Sequence, residues 1–485
     1  MQKPRYILLF VLFILLSLSS CKADFTLDPV VLDNFIEHLS KLADYKVNNP
    51  VYCSPTGSNT QGNGTVNNPY QTINFALSQC NGGETIMLFE GTYFEEVKIN
   101  LPNITLRPVD IHNDHVIIQN SLDNEDDSFT IWIYVDASGC RLQNLEIMGG
   151  YYYGIKIETK WDWGIENDRT GASNIIIEDC IIHDTGRDCI KITPNCNHIT
   201  IRRCEIYNSG VGPANIHAQN AEGIDNVNGD QMLVQDCYIH DIATTGIYFK
   251  GGAQNCIVER NHIENTGHSG ILIGFDTSPE YFDLEVNPNY YESINGMVRN
   301  NVVINTTYTG IGLYASKNSK VYNNTIINTA KEGMSPICFG LSFQDWDPVA
   351  KRPANSNPEI INNLVYQTNI DRPMIEIRYA DELGGMSSLE GPITMDHNCY
   401  YTTENLYFED KRPDSQLYTQ SFTTWQNHIN GDKSSIINNP LLINTYKLDP
   451  NSPCIDTGHN LEFISYDVDD KKRTPPYDIG AYESQ

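Results

Sequence analysis

Positive charge is scarce in this 485-residue chain: 32 Lys and Arg stand against 61 Asp and Glu, for a formal net charge of −29. Nucleic acid demands a basic surface, so the chain is a poor nucleic-acid partner. An acidic polymer is repelled as well, unless a bound cation or local Lys and Arg reverse the field. Beyond one N-terminal run, no apolar stretch approaches twenty residues, so nothing else in the sequence reads as a membrane-spanning helix. The Leu frame and helical segments of a leucine-rich repeat are missing too.

The N-terminal run, from Tyr6 to Leu18, follows Lys3 and Arg5. It is too short to span a bilayer with both flanks satisfied and reads as a signal-peptide core. The phrase Leu18-Ser19-Ser20-Cys21 resembles a bacterial lipobox, whose Cys is acylated and becomes the new N-terminus. This implies a signal peptide over residues 1–20 and a lipid-anchored segment over 21–50. It also implies an exported bacterial lipoprotein at the outer membrane or cell surface, touching membrane through its anchor only. Ordinary cleavage near Ser20 with an incidental Cys is the alternative, and it leaves the chain exported all the same. Loss of the two cations takes the formal charge from −29 to −31. Val31, Phe35, Leu39 and Leu42 are spaced helically and predict a short helix within 29–45.

Length alone suggests two or three domains, but internal repetition overrides it. Asn144, Cys180, Cys204, Cys237, Asn261, Asn301, Asn324 and Asn363 sit in one recurring phrase. An alternating apolar stretch and a polar pair precede this ladder residue, and an apolar-x-apolar step follows it. Such period-two alternation between polar turns signals strands. Nine residues after most ladder positions comes a second phrase, a small residue then alternating apolars, as in Cys189-Ile190-Lys191-Ile192 and Gly246-Ile247-Tyr248-Phe249. The shortest turns, Cys180 to Cys204 and Asn301 to Asn324, are 24 and 23 residues, a solenoid period. The expected fold is all-β, a right-handed parallel β-helix over 51–435 with long loops on one side, closed by 436–485. Asn residues stacked inward at one corner can bond to one another, so Cys180, Cys204 and Cys237 read as packing residues of that column. A monomer is expected.

The ends carry a resemblance of their own. Tyr52 to Ser58, Asn68-Pro69-Tyr70 and Phe89-Glu90-Gly91-Thr92-Tyr93 resemble the opening of secreted bacterial β-helix proteins. Asn439-Pro440-Leu441, Asp449 to Gly458 and Asp478-Ile479-Gly480-Ala481-Tyr482-Glu483 resemble their closing segment.

Insertions into the minimal coil point to function, since loops on a rigid scaffold carry it. Those near 159–172, 275–295 and 340–358 leave one corner of the stack, and another near 208–221 precedes the strand. They carry Trp161, Trp163, Tyr281, Phe282, Tyr290, Tyr291 and Trp346, rigid rings suited to stacking on sugars. Trp161, Tyr281 and Trp346 are expected to border one groove, although the rings would also serve to cap the solenoid.

Stacking the outward positions of the second phrase gives three columns. One reads Asp188, Glu222, Thr245, Ser269; the next Lys156, Lys191, Asp225, Tyr248, Leu272; the third Glu158, Thr193, Val227, Lys250. With coils about 4.8 Å apart, Asp188, Glu222 and Asp225 fall close together. Carboxylates that close need a cation, and hard oxygen ligands suit Ca²⁺. A solvated charge ladder partnered by Lys156 and Lys191 is the alternative.

Gly186-Arg187-Asp188, Asn220-Ala221-Glu222-Gly223 and Gly246 to Lys250 together resemble polysaccharide lyase family nine, a pectate-lyase-like group, over about 186–250. In that family acidic residues of two successive coils bind Ca²⁺ and a Lys of the following coil is the base. Glu222 matches the second coil, Asp188 approximately the first, and Lys250 approximately the base. Ala218 and Gln219 stand where the family has two further Asp ligands, Asp188 is one residue out of register, and the spacing from Gly246 to Lys250 is shorter. The resemblance implies β-elimination from a uronic-acid-containing polysaccharide, with Tyr248 or His217 as acid and Arg187, Trp161, Trp163, Tyr281 and Trp346 around the substrate. A glycoside hydrolase using paired carboxylates (Asp188, Glu222, Asp225 and Asp230 are available), a polymer C5-epimerase and a noncatalytic glycan-binding surface protein remain open.

Overall fold

The structure is a computed structural model that describes residues 47–160, 169–214, 220–342, 352–381, 383, 385–443 and 446–484. The helix expected within 29–45 and the lipidation candidate Cys21 lie outside them. No helix of the described residues is long and apolar enough to cross a membrane.

Each coil lays three short strands into three long sheets of twelve, eleven and twelve strands, parallel throughout except for the final pair Phe408–Asp410 and Leu417–Thr419 of the third. One coil runs through Ile176–Glu178, Ile181–His183 and Ile190–Ile192, then enters the next at Thr200–Arg202. Ile177 pairs with Ile201, Ile182 with Ile206 and Ile190 with Ile224, so like residues stack coil upon coil. The inward column Ile155, Ile190, Ile224, Ile247, Ile271, Ile311, Ile337 and Ile375 is wholly buried. Removing these branched apolar side chains from water is the main stabilising term of the fold.

The corner between the first two strands explains the ladder. Its first residue has positive φ in successive coils: Asp179, Arg203, Asp236, Arg260, Asn300, Asn323 and Asn362 lie between 51° and 61°. Asn and Asp visit this region at low cost. The next residue points inward. Asn261, Asn301, Asn324, Asn363 and Asn398 each donate or accept along the column, with Nδ2 to Oδ1 distances of 3.0–3.2 Å. Asp432 terminates it by accepting from Asn398 at 3.1 Å. Cys180, Cys204 and Cys237 share the column with their thiols on backbone carbonyls, and all twelve described cysteines are free.

Asn144 is a correction. It occupies the positive-φ corner (φ 52°), in line with Asp179, and donates from Nδ2 to the Ile111 carbonyl at 3.0 Å. Leu145 takes the inward place in that coil, 1% exposed.

Two helices close the stack. Ile73–Ser78, capped by the Thr72 hydroxyl on the Phe75 amide, buries Ile73, Ala76 and Leu77. Phe422–Ile429, capped by Ser421, buries Trp425 with its ring stacked on Phe408 at 4.9 Å. The closing segment then returns along the outside. Asn300, Asn323 and Asn362, at the corners of three successive coils, donate to the carbonyls of Tyr466, Asp478 and His459. Arg473 is buried there, bonded to Glu483 at 2.9 Å and Asn300 at 2.8 Å.

Candidate active site

The third sheet carries the site. Its register pairs Lys156 with Lys191, Lys191 with Asp225, Asp225 with Tyr248 and Val227 with Lys250, the columns expected from the sequence. One oxygen from each of Asp188, Glu222 and Asp225 lies within 4.8 Å of the others. All three carboxylates are buried, at 0%, 3% and 0% exposure.

Their partners are few. Asp188 Oδ1 accepts from the Glu222 amide at 3.1 Å, and Glu222 Oε1 accepts from the Thr244 hydroxyl at 2.9 Å. The Lys191 ammonium contacts Asp225 Oδ2 directly and lies 3.6 Å from Asp188 Oδ2. Asp188 Oδ2, Glu222 Oε2 and Asp225 Oδ1 are buried with no hydrogen-bond partner. Lys156 pairs instead with Glu158 at 2.7 Å, so only Lys191 of the two candidate lysines serves the trio.

The electrostatics follow from this crowding. Burial, then Asp188 and Asp225, push Glu222 well above the usual carboxylate range. Burial also raises Asp188, against the pull of Lys191. Burial alone would lower Lys191, but Asp225 and Asp188 override it and hold the ammonium well above its ordinary value. Tyr248 is raised strongly by burial and by all three carboxylates. With every carboxyl ionised, the trio and Lys191 sum to two negative charges, which one divalent cation would balance. Three buried oxygens that accept no hydrogen bond, with this charge, offer part of the shell of about six to eight oxygens that Ca²⁺ takes.

A cleft of about 350 Å³ lies over this layer. Lys156, Lys191 and Lys250 line it, with Tyr153, Asp276 and Tyr281. Three lysines face one cleft of a strongly acidic protein, where Lys156 and Lys191 also pair with Glu158 and Asp225 and Asp276 lines the same wall. The Lys250 ammonium lies 4.2 Å from the centre of the Tyr248 ring.

The structure therefore brings together Asp188, Glu222, Asp225, Tyr248, Lys250 and Tyr281. Arg187 is not among the cleft-lining residues; its guanidinium lies 4.7 Å from the Tyr152 ring. Trp161, Trp163, Trp346 and His217 lie outside the described residues, so of the three rings expected to border one groove only Tyr281 is placed. Sequence reasoning missed Tyr153, Thr244 and Asp276. Tyr153 was legible, one coil below Asp188 in the same column, and so was Thr244, beside the column position Thr245 in a regular coil, whereas Asp276 reaches the site from a loop that follows no period.

The chain matches the right handed beta helix region family over residues 59–220 and 216–401. No protein of curated function matches it by sequence. Among solved structures it is similar to pectate lyase Pel9A, at 12% identity and TM-score 0.56, covering 92% of this chain and 98% of that one. XylC in complex with xylose is similar at 12% identity and TM-score 0.53, over 90% and 98% of the two chains. The A-module of the Azotobacter vinelandii mannuronan C-5 epimerase AlgE6 is similar at 11% identity and TM-score 0.50, over 76% and 93%. These likenesses speak for the fold, and the matched segments take in well over half of the sequence. The chain belongs to the right-handed β-helix family.

Proposed function

We propose that this protein is a polysaccharide lyase that cleaves a uronic-acid-containing polymer by β-elimination. The observation that carries this reading is the pairing of a three-lysine cleft with a buried carboxylate trio beneath it, one oxygen of each carboxylate accepting no hydrogen bond. Asp188, Glu222 and Asp225 would hold a Ca²⁺ ion, which when bound supplies positive charge to a uronate carboxylate and so acidifies the proton on C5. Lys156 and Lys191 hold the anionic sugar in the cleft. Lys250 takes the C5 proton; the electron pair forms the C4–C5 double bond and the C4–O bond breaks. Tyr248, the acid that the sequence offered, is 2% exposed and does not line the cleft, so the leaving oxygen takes its proton from water.

The paired-carboxylate hydrolase is served less well. Glu222 and Asp225 are 3% and 0% exposed and neither lines the cleft, so neither faces a glycosidic oxygen. The test is ultraviolet absorbance over a glycan panel including polygalacturonate and polymannuronate, with and without chelator, because only elimination creates the conjugated product. Lys250→Ala should abolish that product and leave the fold intact, since a half-buried strand Lys contributes little to stability. Near-normal turnover in this variant would overturn Lys250 as the base, indifference to chelator would overturn the cation, and cleavage with no ultraviolet-absorbing product would overturn the lyase.

Export and lipid tethering through Cys21 belong to the same reading, resting on the lipobox phrase. Cys21→Ser should move the protein from the membrane fraction to the soluble one; unchanged fractionation rejects the anchor.

A further inference from the structure

We infer that the cleft is the blind end of a one-sided track, so that the protein acts at the end of a glycan chain and releases a short product of fixed length. The inference takes the carbohydrate-binding cleft from the preceding reading and adds the mode of attack. It rests on one outward column of the third sheet, followed coil by coil. Lys98, Trp132, Lys156 and Lys191 are all partly exposed along it. From the next coil the exposure stops: Asp225 is 0% exposed, Tyr248 2%, Leu272 0%, Cys338 0% and Glu376 5%, and it returns only at Glu409, at the far end of the sheet.

What covers the later coils is built into the sequence. Tyr248, Leu272 and Tyr314 form a buried apolar cluster with Phe275 packed on it. The Phe275 ring lies 6.0 Å from that of Tyr248 and 5.4 Å from that of Tyr314. The Tyr314 ring occupies the space that side chains at Gly312 and Gly340 would need: an added Cβ would meet it at 2.8 and 2.0 Å. Glycine at these two positions makes the wall possible. Beside it, the loop bearing Asp276, Thr277, Ser278 and Tyr281 lines the cleft. That loop is pinned by Glu292, which accepts from the Thr277 amide at 3.0 Å, the Gly251 amide at 2.8 Å and Arg352 Nε at 2.9 Å. Both partners of this ion pair are wholly buried, so the wall is held by a fixed network.

The opposite direction is furnished for sugars. Trp132 lies two coils from Lys191, roughly 10 Å along the axis. The Lys98 ammonium lies 4.1 Å from the Trp132 ring centre and 4.3 Å from that of Tyr134, and the Phe129 and Tyr153 rings stack at 5.8 Å. Rigid rings beside cations suit a chain of acidic pyranoses, whose apolar faces stack while their carboxylates pair. A polymer therefore continues over Lys156 and Trp132 and has no path past Tyr248 and Tyr314. The unit beyond the scissile bond must fit the blind end of the cleft.

Two measurements test this. Products from polygalacturonate or polymannuronate are sized from the earliest time points. A single short product with slow loss of viscosity is expected, and an early spread of oligomers overturns the inference. Independently, Lys250→Ala protein is titrated calorimetrically with oligouronates of two to eight residues and with the same oligomers blocked at either end by a bulky tag. Tagging one end should abolish binding, and Trp132→Ala should weaken binding of the longer oligomers five-fold or more while sparing dimers. Equal binding of oligomers tagged at either end overturns the inference. An oligomer spread with ultraviolet-absorbing product sinks the blind track and leaves the lyase; end-dependent binding with no elimination product sinks the lyase and leaves the track. No binding and no product sinks both.

Discussion

With every carboxyl ionised, Lys191 leaves the carboxylate trio two charges short of neutrality, and that potential shortfall makes the site sensitive to pH. Without a cation, Glu222 and Asp188 keep protons that their unfolded counterparts would lose, because burial raises both. Between their ordinary and raised values the folded state therefore binds more protons than the unfolded one, and stability falls as pH rises through that window. A Ca²⁺ ion held by the trio, as proposed, would displace those protons, so its affinity would rise with pH. Added Ca²⁺ should raise Tm more at pH 8 than at pH 5, with protons released on binding. Calorimetry in buffers of different ionisation enthalpy reads this directly, and a Ca²⁺ effect equal at both pH values would reject the site. The residue register behind this argument was legible in the sequence, because a small residue followed by alternating apolars fixes which side chains face outward. The part that Lys191 plays was only half legible. Its column position predicted contact with Asp225, but the sequence offered Lys156 equally, and only the short reach to Glu158 takes Lys156 away.

Among the elements, the loop that walls the cleft depends on Glu292, whose carboxyl burial pushes up to about 7 against the pull of Arg352. A raised carboxyl contributes stability that is fully present below its unfolded value and is lost as pH climbs to its folded one, here from about 4.5 to about 7. Glu292→Gln should flatten that part of the Tm–pH curve relative to the parent while keeping most of the loop's hydrogen bonds. Parallel curves for the two proteins would show that Glu292 is ionised throughout. Nothing in the sequence announced this pair, since Glu292 and Arg352 are sixty residues apart and neither follows the repeat. The misplaced Asn144 has a different cause. Asparagine suits both neighbouring corner positions, one for its tolerance of positive φ and one for its inward amide, and Asn300-Asn301, Asn323-Asn324 and Asn362-Asn363 fill both at once. Where a coil has a single Asn, residue type alone does not say which position it holds. The end helices escaped notice because at six and eight residues they are too short for a periodic signal.

For the whole molecule, the sequence period revealed the stack of coils but not the path of residues 452–484 along its flank. A plain solenoid is held together by nearest neighbours only, and its stability behaves as a one-dimensional sum that can fray from either end. Here the returning segment bonds to Asn300, Asn323 and Asn362 in three successive coils and buries Arg473 against the first of them. Those coils can no longer open one at a time, because each opening also breaks a bond to the same covalent strand. The segment acts as a splint that turns a zipper into a single cooperative block. Deleting residues 452–485 should convert one unfolding transition into two and let amide exchange spread inward from Trp425 toward Asn300. An unchanged single transition would mean that the Asn ladder alone enforces the block. The coils bound by the splint lie directly after those that carry the cleft, so the same flank that stops the molecule unravelling would also keep the wall behind Tyr248 from shearing away under the pull of the proposed polymer.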